Sequence, residues 1–258
     1  MILRQWLGVE MGRRFCDHRA VSASCSVRAV LFDLDGTLVD HDGAAATAVG
    51  QWLTTKGWAN AETIGGLIAE WDVIAERHYL TYQARRTTYQ GQRRLRIREF
   101  LPGVGIDASD WSDERLDDAF DGYLIAYEAA WRSYPDALPC LAALLPITHV
   151  AVLSNGNQEQ QENKISRTGL DPYIDVVLTS ELLGVAKPSP RAFELACRRL
   201  GVRPSETAYV GDSIDVDTIA AGAAGLRGIW LNRKGAEIPA GVEAISNLAD
   251  LENVLKAT

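Results

Sequence analysis

The chain has 258 residues, few cysteines and no long apolar segment. No apolar run reaches about 18 residues, which excludes a transmembrane helix. The cysteines form no C-x-x-C pair and share no motif with histidine, so the common zinc patterns are absent. This usage predicts reduced thiols in a cytoplasmic protein. The four cysteines are Cys16, Cys25, Cys140 and Cys197.

Positive charge is also scarce. The chain has 26 Lys and Arg against 34 Asp and Glu, a formal net charge of -8 at pH 7. A basic surface that binds nucleic acid is therefore not expected. The hydrophobic fraction of 47% is sufficient for a core, and the length fits one large domain or a core with an insertion. Both a monomer and a homodimer are compatible with this composition.

The first 26 residues show no strong periodicity. Their apolar start is broken by Arg4 and Gln5, which makes a poor signal-peptide core. We predict a loosely held tail over residues 1–26. A second methionine, Met11, would also allow a later start.

One long region has almost no proline and almost no runs of β-branched residues. Pro102 is the only proline between Val39 and Tyr134. The intervening residues are rich in Ala, Trp, Tyr, Gln, Glu and Arg, a composition that favours helices. We predict an inserted all-helical cap domain over residues 43–131.

The rest of the chain alternates short apolar segments with helix-like segments. This alternation is typical of βα units and predicts an α/β fold, a Rossmann-like parallel sheet with helices on both faces. The catalytic core would comprise residues 27–42 and 132–258. The strand-like segments are VRAVLFDL, THVAVLSNG, IDVVLTS, TAYVGD and RGIWLN.

Polar side chains end these apolar segments. Asp33 and Asp35 follow the first, Ser154 and Asn155 the second, and others the later ones. Two carboxylates at the end of a buried strand repel each other and lose hydration, so a bound cation or a chemical step must offset the cost. In parallel sheets, ligands bind at the carboxyl ends of the strands. The sequence thus predicts a site there, which Lys187 and Asp212 would also reach.

The residue types at this edge suit phosphoryl transfer. The carboxylates of Asp33, Asp212 and Asp217 are the hard ligands that Mg²⁺ prefers. A carboxylate can attack phosphorus and form an aspartyl-phosphate, and a second carboxyl, here Asp35, can transfer protons. Ser154 could donate a hydrogen bond to a phosphoryl oxygen. Lys187 would supply compact positive charge for the transition state.

Four segments in order resemble the motifs of the haloacid dehalogenase superfamily. They are DLDGTLV from Asp33, SNG from Ser154, GVAKPSPRAF around Lys187, and YVGDSIDVDTIAAGAAG with Asp212 and Asp217. A lone D-x-D pattern is weak evidence for this family, but four motifs in the expected order along the chain are specific evidence. The resemblance extends from about Val27 to the WLN strand, and the helical insertion resembles the cap that this family places after its first motif.

The resemblance implies a role for each matched residue. Asp33 would be the nucleophile and a Mg²⁺ ligand, and Asp35 the general acid and base, with its main-chain oxygen on the metal. Ser154 and Asn155 would bind substrate, and Lys187 would neutralise the reacting charges. Three further roles are implied: Thr37 would steady the loop, Asp212 would bind Mg²⁺, and Asp217 would hold Lys187 or a metal-bound water.

Plainer interpretations remain open for several residues. Thr37 is as typical of a helix or turn cap as of a contact to the substrate phosphate, and Asp215 competes with Asp217 for one role. Residues near the first motif are more typical of loop and surface positions, namely Asp40, His41 and Asp42.

The resemblance favours a Mg²⁺-dependent phosphatase acting on a small phosphorylated metabolite. The main alternative is a 2-haloacid dehalogenase on the same scaffold, in which Asp33 attacks carbon and no metal is needed. Dehalogenases of this family typically lack the second aspartate, so Asp35 favours the phosphatase. A phosphomutase and a non-catalytic interaction protein are further alternatives. The sequence does not identify the phosphate ester.

One basic segment of the predicted cap stands out. Residues 77–98 contain seven arginines and no acid. In an unbroken helix, Tyr82, Arg86, Tyr89 and Arg93 would form one stripe. The stripe could be cap surface, and Gly91 could bend or end the helix. Alternatively it faces the site, and Arg86 or Arg93 binds a second anionic group of the substrate.

Overall fold

The structure is a computed structural model that describes residues 27–257. The predicted tail, residues 1–26, lies outside this range. Within it, six strands form one sheet: β1 (Ala29–Phe32), β2 (His149–Ser154), β3 (Val176–Thr179), β4 (Thr207–Gly211), β5 (Arg227–Leu231) and β6 (Glu243–Ile245).

All neighbouring strands are parallel, in the order β3-β2-β1-β4-β5-β6. The predicted parallel α/β sheet is therefore confirmed. β1 lies between β2 and β4, so the strand order reverses at β1. Ligands of such sheets bind at this reversal, outside the carboxyl ends of the strands. Among the strands within residues 27–257, the sequence analysis missed only β6, a three-residue edge strand with one buried residue, Ile245.

Ten α-helices lie within residues 27–257. They are α1 (His41–Lys56), α2 (Ile64–Gln83), α3 (Tyr89–Phe100), α4 (Asp113–Ala130), α5 (Ala137–Leu144), α6 (Gln158–Arg167), α7 (Ser180–Leu183), α8 (Pro190–Leu200), α9 (Ala220–Ala223) and α10 (Leu251–Lys256).

Both faces of the sheet are buried. Val30 and Phe32 of β1 point to an apolar cluster that includes α5 and α10, while Ala29 and Leu31 point to another formed with α8 and α9. This alternation is the period-two pattern of a strand. Because both faces are covered, the strands read as continuous apolar runs, the pattern seen in the sequence.

Helices α1 to α4 have an apolar core of their own. It is built on large aromatic side chains, among them Trp52, Trp71, Phe100 and Tyr123. The Trp71 and Tyr123 ring centroids are 4.6 Å apart. Aromatic pairs of this kind contribute about 0.5–1.5 kcal/mol beyond their buried area. The predicted helical segment after β1 is thus a four-helix unit whose core is separate from the two sheet clusters.

The basic segment of this unit is not one helix. α2 ends at Gln83, and α3 begins at Tyr89 after Thr88, whose hydroxyl accepts a hydrogen bond from the Gly91 amide. This N-cap starts a new helix because it satisfies an otherwise unpaired amide. The unbroken helix that would align Tyr82 and Arg86 with the α3 residues does not form.

In the described part of the chain, none of the helices combines the length and apolar character needed to span a bilayer.

Candidate active site

The loop after β1 brings two motifs into contact. Gly36 has φ +81°, and a Cβ at this position would lie 2.3 Å from Asp212 Oδ2. A side chain here would therefore be strained and would also displace Asp212. The close approach places the loop that carries Asp33 and Asp35 against the end of β4.

Lys187 contacts three side chains at this edge of the sheet. Its Nζ lies 2.7 Å from Asp33 Oδ1, 2.7 Å from Asp217 Oδ1 and 2.7 Å from the Tyr209 hydroxyl. The lysine is only 3% exposed. Burial opposes its charged form, but Asp217 and Asp33 outweigh burial and raise the pKa of Lys187. The side chain is thus a fixed positive charge beside Asp33.

Three carboxylates converge beside this lysine. Asp33, Asp212 and Asp217 each place one oxygen within 4.8 Å of the others. Burial raises the pKa of Asp33, and the Asp217 and Asp212 carboxylates add to this effect against the opposing Lys187. The cluster therefore holds more negative charge than one lysine offsets, and its hard oxygen donors suit Mg²⁺. Asp215, the competing aspartate, is exposed.

Asp217 is already well supplied with partners. Its Oδ1 accepts a hydrogen bond from Lys187, and its Oδ2 accepts one from the Ser213 amide at 3.1 Å. Asp33 and Asp212 therefore have more free oxygen lone pairs for a cation than Asp217 has.

Asn155 fixes the position of Lys187. Its side-chain amide donates to the Lys187 carbonyl at 2.9 Å, and its Oδ1 accepts from the Lys187 amide at 2.8 Å. The Asn155 carbonyl accepts a hydrogen bond from the hydroxyl of Tyr79 on α2. The Asn155 side chain, predicted to bind substrate, thus connects two loops, and its carbonyl contacts the helical unit.

A second network surrounds Asp35. Lys164 Nζ lies 2.6 Å from Asp35 Oδ1, and Gln161 Nε2 donates to Asp35 Oδ2 at 3.0 Å and to Ser154 Oγ at 2.9 Å. Burial would raise the pKa of Asp35, but Lys164, with His41 and Gln161, lowers it to about 2. Asp35 is therefore ionised in this structure.

Sequence analysis missed Gln161 and Lys164. Their spacing of three places both on one face of α6, directly after the SNG motif, and this could have identified them. His41, interpreted as a surface residue, is half-buried, with its Nδ1 3.8 Å from Asp35 Oδ1 and 2.6 Å from the Tyr127 hydroxyl.

Thr37 is fully buried, and its hydroxyl has no hydrogen-bond partner among residues 27–257. The loop is instead held through the Thr37 carbonyl, which accepts a hydrogen bond from Arg233 at 2.9 Å. Arg233 also pairs with both carboxylate oxygens of Asp136, each at 2.8 Å. No motif in the sequence indicated this anchor.

The catalytic candidates open into a cavity of about 570 Å³ between the sheet edge and the helical unit. Arg93 lines this cavity, but Arg86 is exposed in the turn between α2 and α3 and does not. Arg86 is therefore not positioned to contact a molecule in the cavity. The predicted residues that line it are Asp33, Asp35, Ser154, Asn155, Lys187, Asp212, Asp217 and Arg93.

Relatives of this chain include phosphatases and dehalogenases. It is 30% identical to glyceraldehyde 3-phosphate phosphatase of Methanopyrus kandleri, over 80% of this chain and 84% of that protein. It is 29% identical to (S)-2-haloacid dehalogenase 4A of Burkholderia cepacia, over 90% and 98%.

The fold is also that of a solved hydrolase structure. The magnesium-bound HAD-hydrolase YfnB of Bacillus subtilis superposes with a TM-score of 0.75 at 21% identity, over 89% of this chain and 98% of that one. The family model for haloacid dehalogenase-like hydrolases matches residues 27–225. The chain with this Asp33, Lys187 and Asp212 site belongs to the haloacid dehalogenase-like hydrolase family.

Proposed function

We propose that this chain is a Mg²⁺-dependent phosphatase that hydrolyses a small phosphomonoester through an aspartyl-phosphate on Asp33. One observation carries the choice of reaction. Asp35 lies two residues beyond the nucleophile and lines the same cavity, held by Lys164 and Gln161. Displacement of a halide needs no acid at the leaving group, whereas departure of an alkoxide does.

In the first step, an Asp33 carboxylate oxygen attacks phosphorus and the bond from phosphorus to the ester oxygen breaks. Lys187, fixed beside Asp33, offsets the charge on the transferring group. Asp35, which takes up a proton from solvent as the phosphate binds, gives that proton to the departing oxygen. The incoming phosphate places negative charge against Asp35 and so raises its affinity for that proton.

In the second step, water attacks the phosphorus of the aspartyl-phosphate, the bond from phosphorus to the Asp33 oxygen breaks, and Asp35 takes a proton from the water. The ionised state that Lys164 favours suits this role, because a general base must be unprotonated. Phosphate then leaves and Asp33 is regenerated.

The donor set fits Mg²⁺. Asp33 and Asp212 would hold the cation, with Asp217 beside them through Lys187 or a water, and the main-chain oxygen of Asp35 would complete the protein ligands. When bound, Mg²⁺ would supply positive charge to the phosphoryl oxygens and orient the group for in-line attack. Its charge would also offset the excess of carboxylates around Asp33.

We further propose that α1 to α4 act as the cap that selects the substrate, since their side chains form one wall of the cavity. The phosphatases among the relatives, including N-acylneuraminate-9-phosphatase of Homo sapiens, are named for small phosphorylated compounds. We expect a substrate of the same class.

The test is a panel of phosphomonoesters assayed for phosphate release with and without Mg²⁺, beside 2-chloropropionate assayed for chloride release. We expect Mg²⁺-dependent phosphate release and no chloride release. Chloride release in the presence of a chelator, with no phosphate released from any ester, would establish the dehalogenase instead.

A further inference from the structure

One face of α3 forms part of the cavity wall opposite the catalytic loops. Tyr89, Gln92, Arg93 and Arg96 all line the cavity. Their spacing of three, four and seven residues from Tyr89 places them on one side of the helix. The helical unit therefore contributes polar side chains to the cavity wall, in addition to the carboxylates at the sheet edge.

The other arginines of this helix have protein partners. Arg94 pairs with Asp117 at 2.6 Å and also contacts Asp113. Arg98 donates hydrogen bonds to the main-chain carbonyls of Ser109 and Trp111. These contacts stabilise the four-helix unit, and they account for the two arginines on the outer side of α3.

The two arginines that line the cavity differ in how they are held. Arg93 donates to the Tyr89 hydroxyl at 2.6 Å and lies 4.2 Å above the Tyr89 ring. Arg96 makes no salt bridge within residues 27–257, and its buried Nε has no hydrogen-bond partner there. A buried guanidinium nitrogen is normally paired, because leaving such a donor unsatisfied is costly.

The surroundings of Arg96 do not neutralise its charge. The groups that act on it most strongly are the hydroxyls of Tyr123, Tyr79 and Tyr89 and the guanidinium of Arg93. Burial lowers the pKa of Arg96, which means that its charged form lacks solvation where it stands. An anion at this position would supply the missing partner.

Apart from the carboxylates at the sheet edge, the acids that line the cavity lie on other helices. Asp42 is on α1, and Asp72 and Glu76 are on α2. The charged groups that act most strongly on Asp72 are Asp42 and His41, not Arg96. None of these acids forms a salt bridge with Arg96 within residues 27–257.

Gln92 gives an independent sign of a ligand. Its side chain is 2% exposed and lines the cavity, and its Oε1 has no hydrogen-bond partner in the described chain. Four residues before Arg96, it lies on the same helix face, and its amide can turn either oxygen or NH₂ toward a ligand. A buried amide oxygen without a partner normally indicates a missing polar group.

We propose that Arg96, with Gln92 and Arg93 beside it, binds a carboxylate at the far end of the substrate, so that the enzyme selects phosphomonoesters of small carboxylic acids. This inference rests on the proposed phosphatase function. A carboxylate fits better than a second phosphate, because one free guanidinium matches a planar group of single charge. Arg93 is already engaged with Tyr89 and would add to the local field.

The test is direct binding, which does not depend on turnover. The Asp33→Asn variant is titrated calorimetrically in Mg²⁺ with ω-carboxyalkyl phosphates of increasing chain length, each paired with its neutral ω-carboxamide. We expect at least one length at which the acid binds about 10- to 100-fold more tightly than the amide. The added substitution Arg96→Gln should remove this preference and leave binding of the amide unchanged.

Arg98→Gln in the same background is the matched control, because Arg98 lies on α3 but faces away from the cavity. It should retain the preference for the acid. No preference at any chain length, or a preference that survives Arg96→Gln, would overturn the inference. If the preference is present and the unsubstituted enzyme hydrolyses no phosphate ester, the carboxylate site stands and the proposed phosphatase function fails.

Discussion

Lys164 and Asp35 form an ion pair at the catalytic loop, with 2.6 Å between the ammonium nitrogen and Oδ1. The lysine is 1% exposed and lies 5.5 Å from the ring centroids of Tyr127 and Trp131, which belong to the helical unit. A helix of the core, the loop of the first motif and the helical unit thus meet at Asp35. In the proposed mechanism, this pair orients the carboxylate that gives and takes a proton.

Lys164→Met should therefore slow catalysis most on substrates whose leaving group needs protonation. We expect kcat to fall about 10- to 100-fold on an alkyl phosphate and much less on p-nitrophenyl phosphate, because a good leaving group needs little protonation. Steady-state kinetics on the two esters measure this difference. Lys256→Met, on the exposed end of α10, is the control and should change neither rate. Unchanged rates on both esters would show that Lys164 does not act through Asp35.

Asp33→Asn should nearly abolish turnover. The substitution keeps the shape of the side chain but removes the attacking charge, and we expect a loss of at least about a thousandfold. Phosphate release in Mg²⁺ measures it, and circular dichroism checks the fold. Near-normal Mg²⁺-dependent turnover would contradict Asp33 as the nucleophile.

Asp35→Asn should separate the two chemical steps. Attack on p-nitrophenyl phosphate should still occur, whereas hydrolysis of the aspartyl-phosphate should be slow because water is no longer activated. Mass spectrometry after an acid quench should find a phosphate adduct on Asp33. Rapid full turnover of an alkyl phosphate by this variant would disprove the role of Asp35.

Chelation of metal should abolish activity. We expect EDTA to stop phosphate release, Mg²⁺ to restore it, and Ca²⁺ to restore it poorly, because calcium prefers more ligands in a looser geometry. Phosphate release after dialysis against each cation makes the comparison. Full activity in chelator on any phosphomonoester would argue against a metal bound by Asp33 and Asp212.

Asp136→Asn should lower stability in a pH-dependent way. Burial would raise the pKa of Asp136, but hydrogen bonds from Arg233 and the Leu248 amide outweigh burial and lower it below the ordinary value of 3.8. A carboxyl with a lower pKa in the folded state stabilises the fold above its unfolded pKa, and this contribution is lost as the pH falls through the folded value.

We therefore expect Asp136→Asn to reduce the free energy of unfolding by about 1–3 kcal/mol at pH 7 and by less below pH 3.8. Urea unfolding at several pH values measures the difference. Asp118→Asn, at an exposed position on α4, should have little effect throughout. A loss that is constant with pH would mean that the Asp136 charge is not responsible.

The grouping of the candidate site residues at the sheet edge could be predicted from the sequence. Asp33 and Asp212 each follow an apolar strand and Ser154 ends one, and parallel strands bring their carboxyl ends together whatever helices connect them. Local patterns also predicted the helical unit, because four helices with few prolines have a distinct composition. β6 was missed because three residues with one buried side chain carry almost no periodic signal.

The partners of these residues depended on packing between elements distant in the sequence. Lys164 reaches Asp35 across 129 positions, and Arg233 reaches Thr37 across 196. The sequence spacing placed Arg86 and Arg93 on the same stripe of one helix. In the structure, the turn before Thr88 leaves Arg86 exposed, whereas Arg93 on α3 lines the cavity. Strand ends are determined by local periodicity, whereas the direction of a helix face is set by the neighbours it packs against, and only the tertiary structure supplies those.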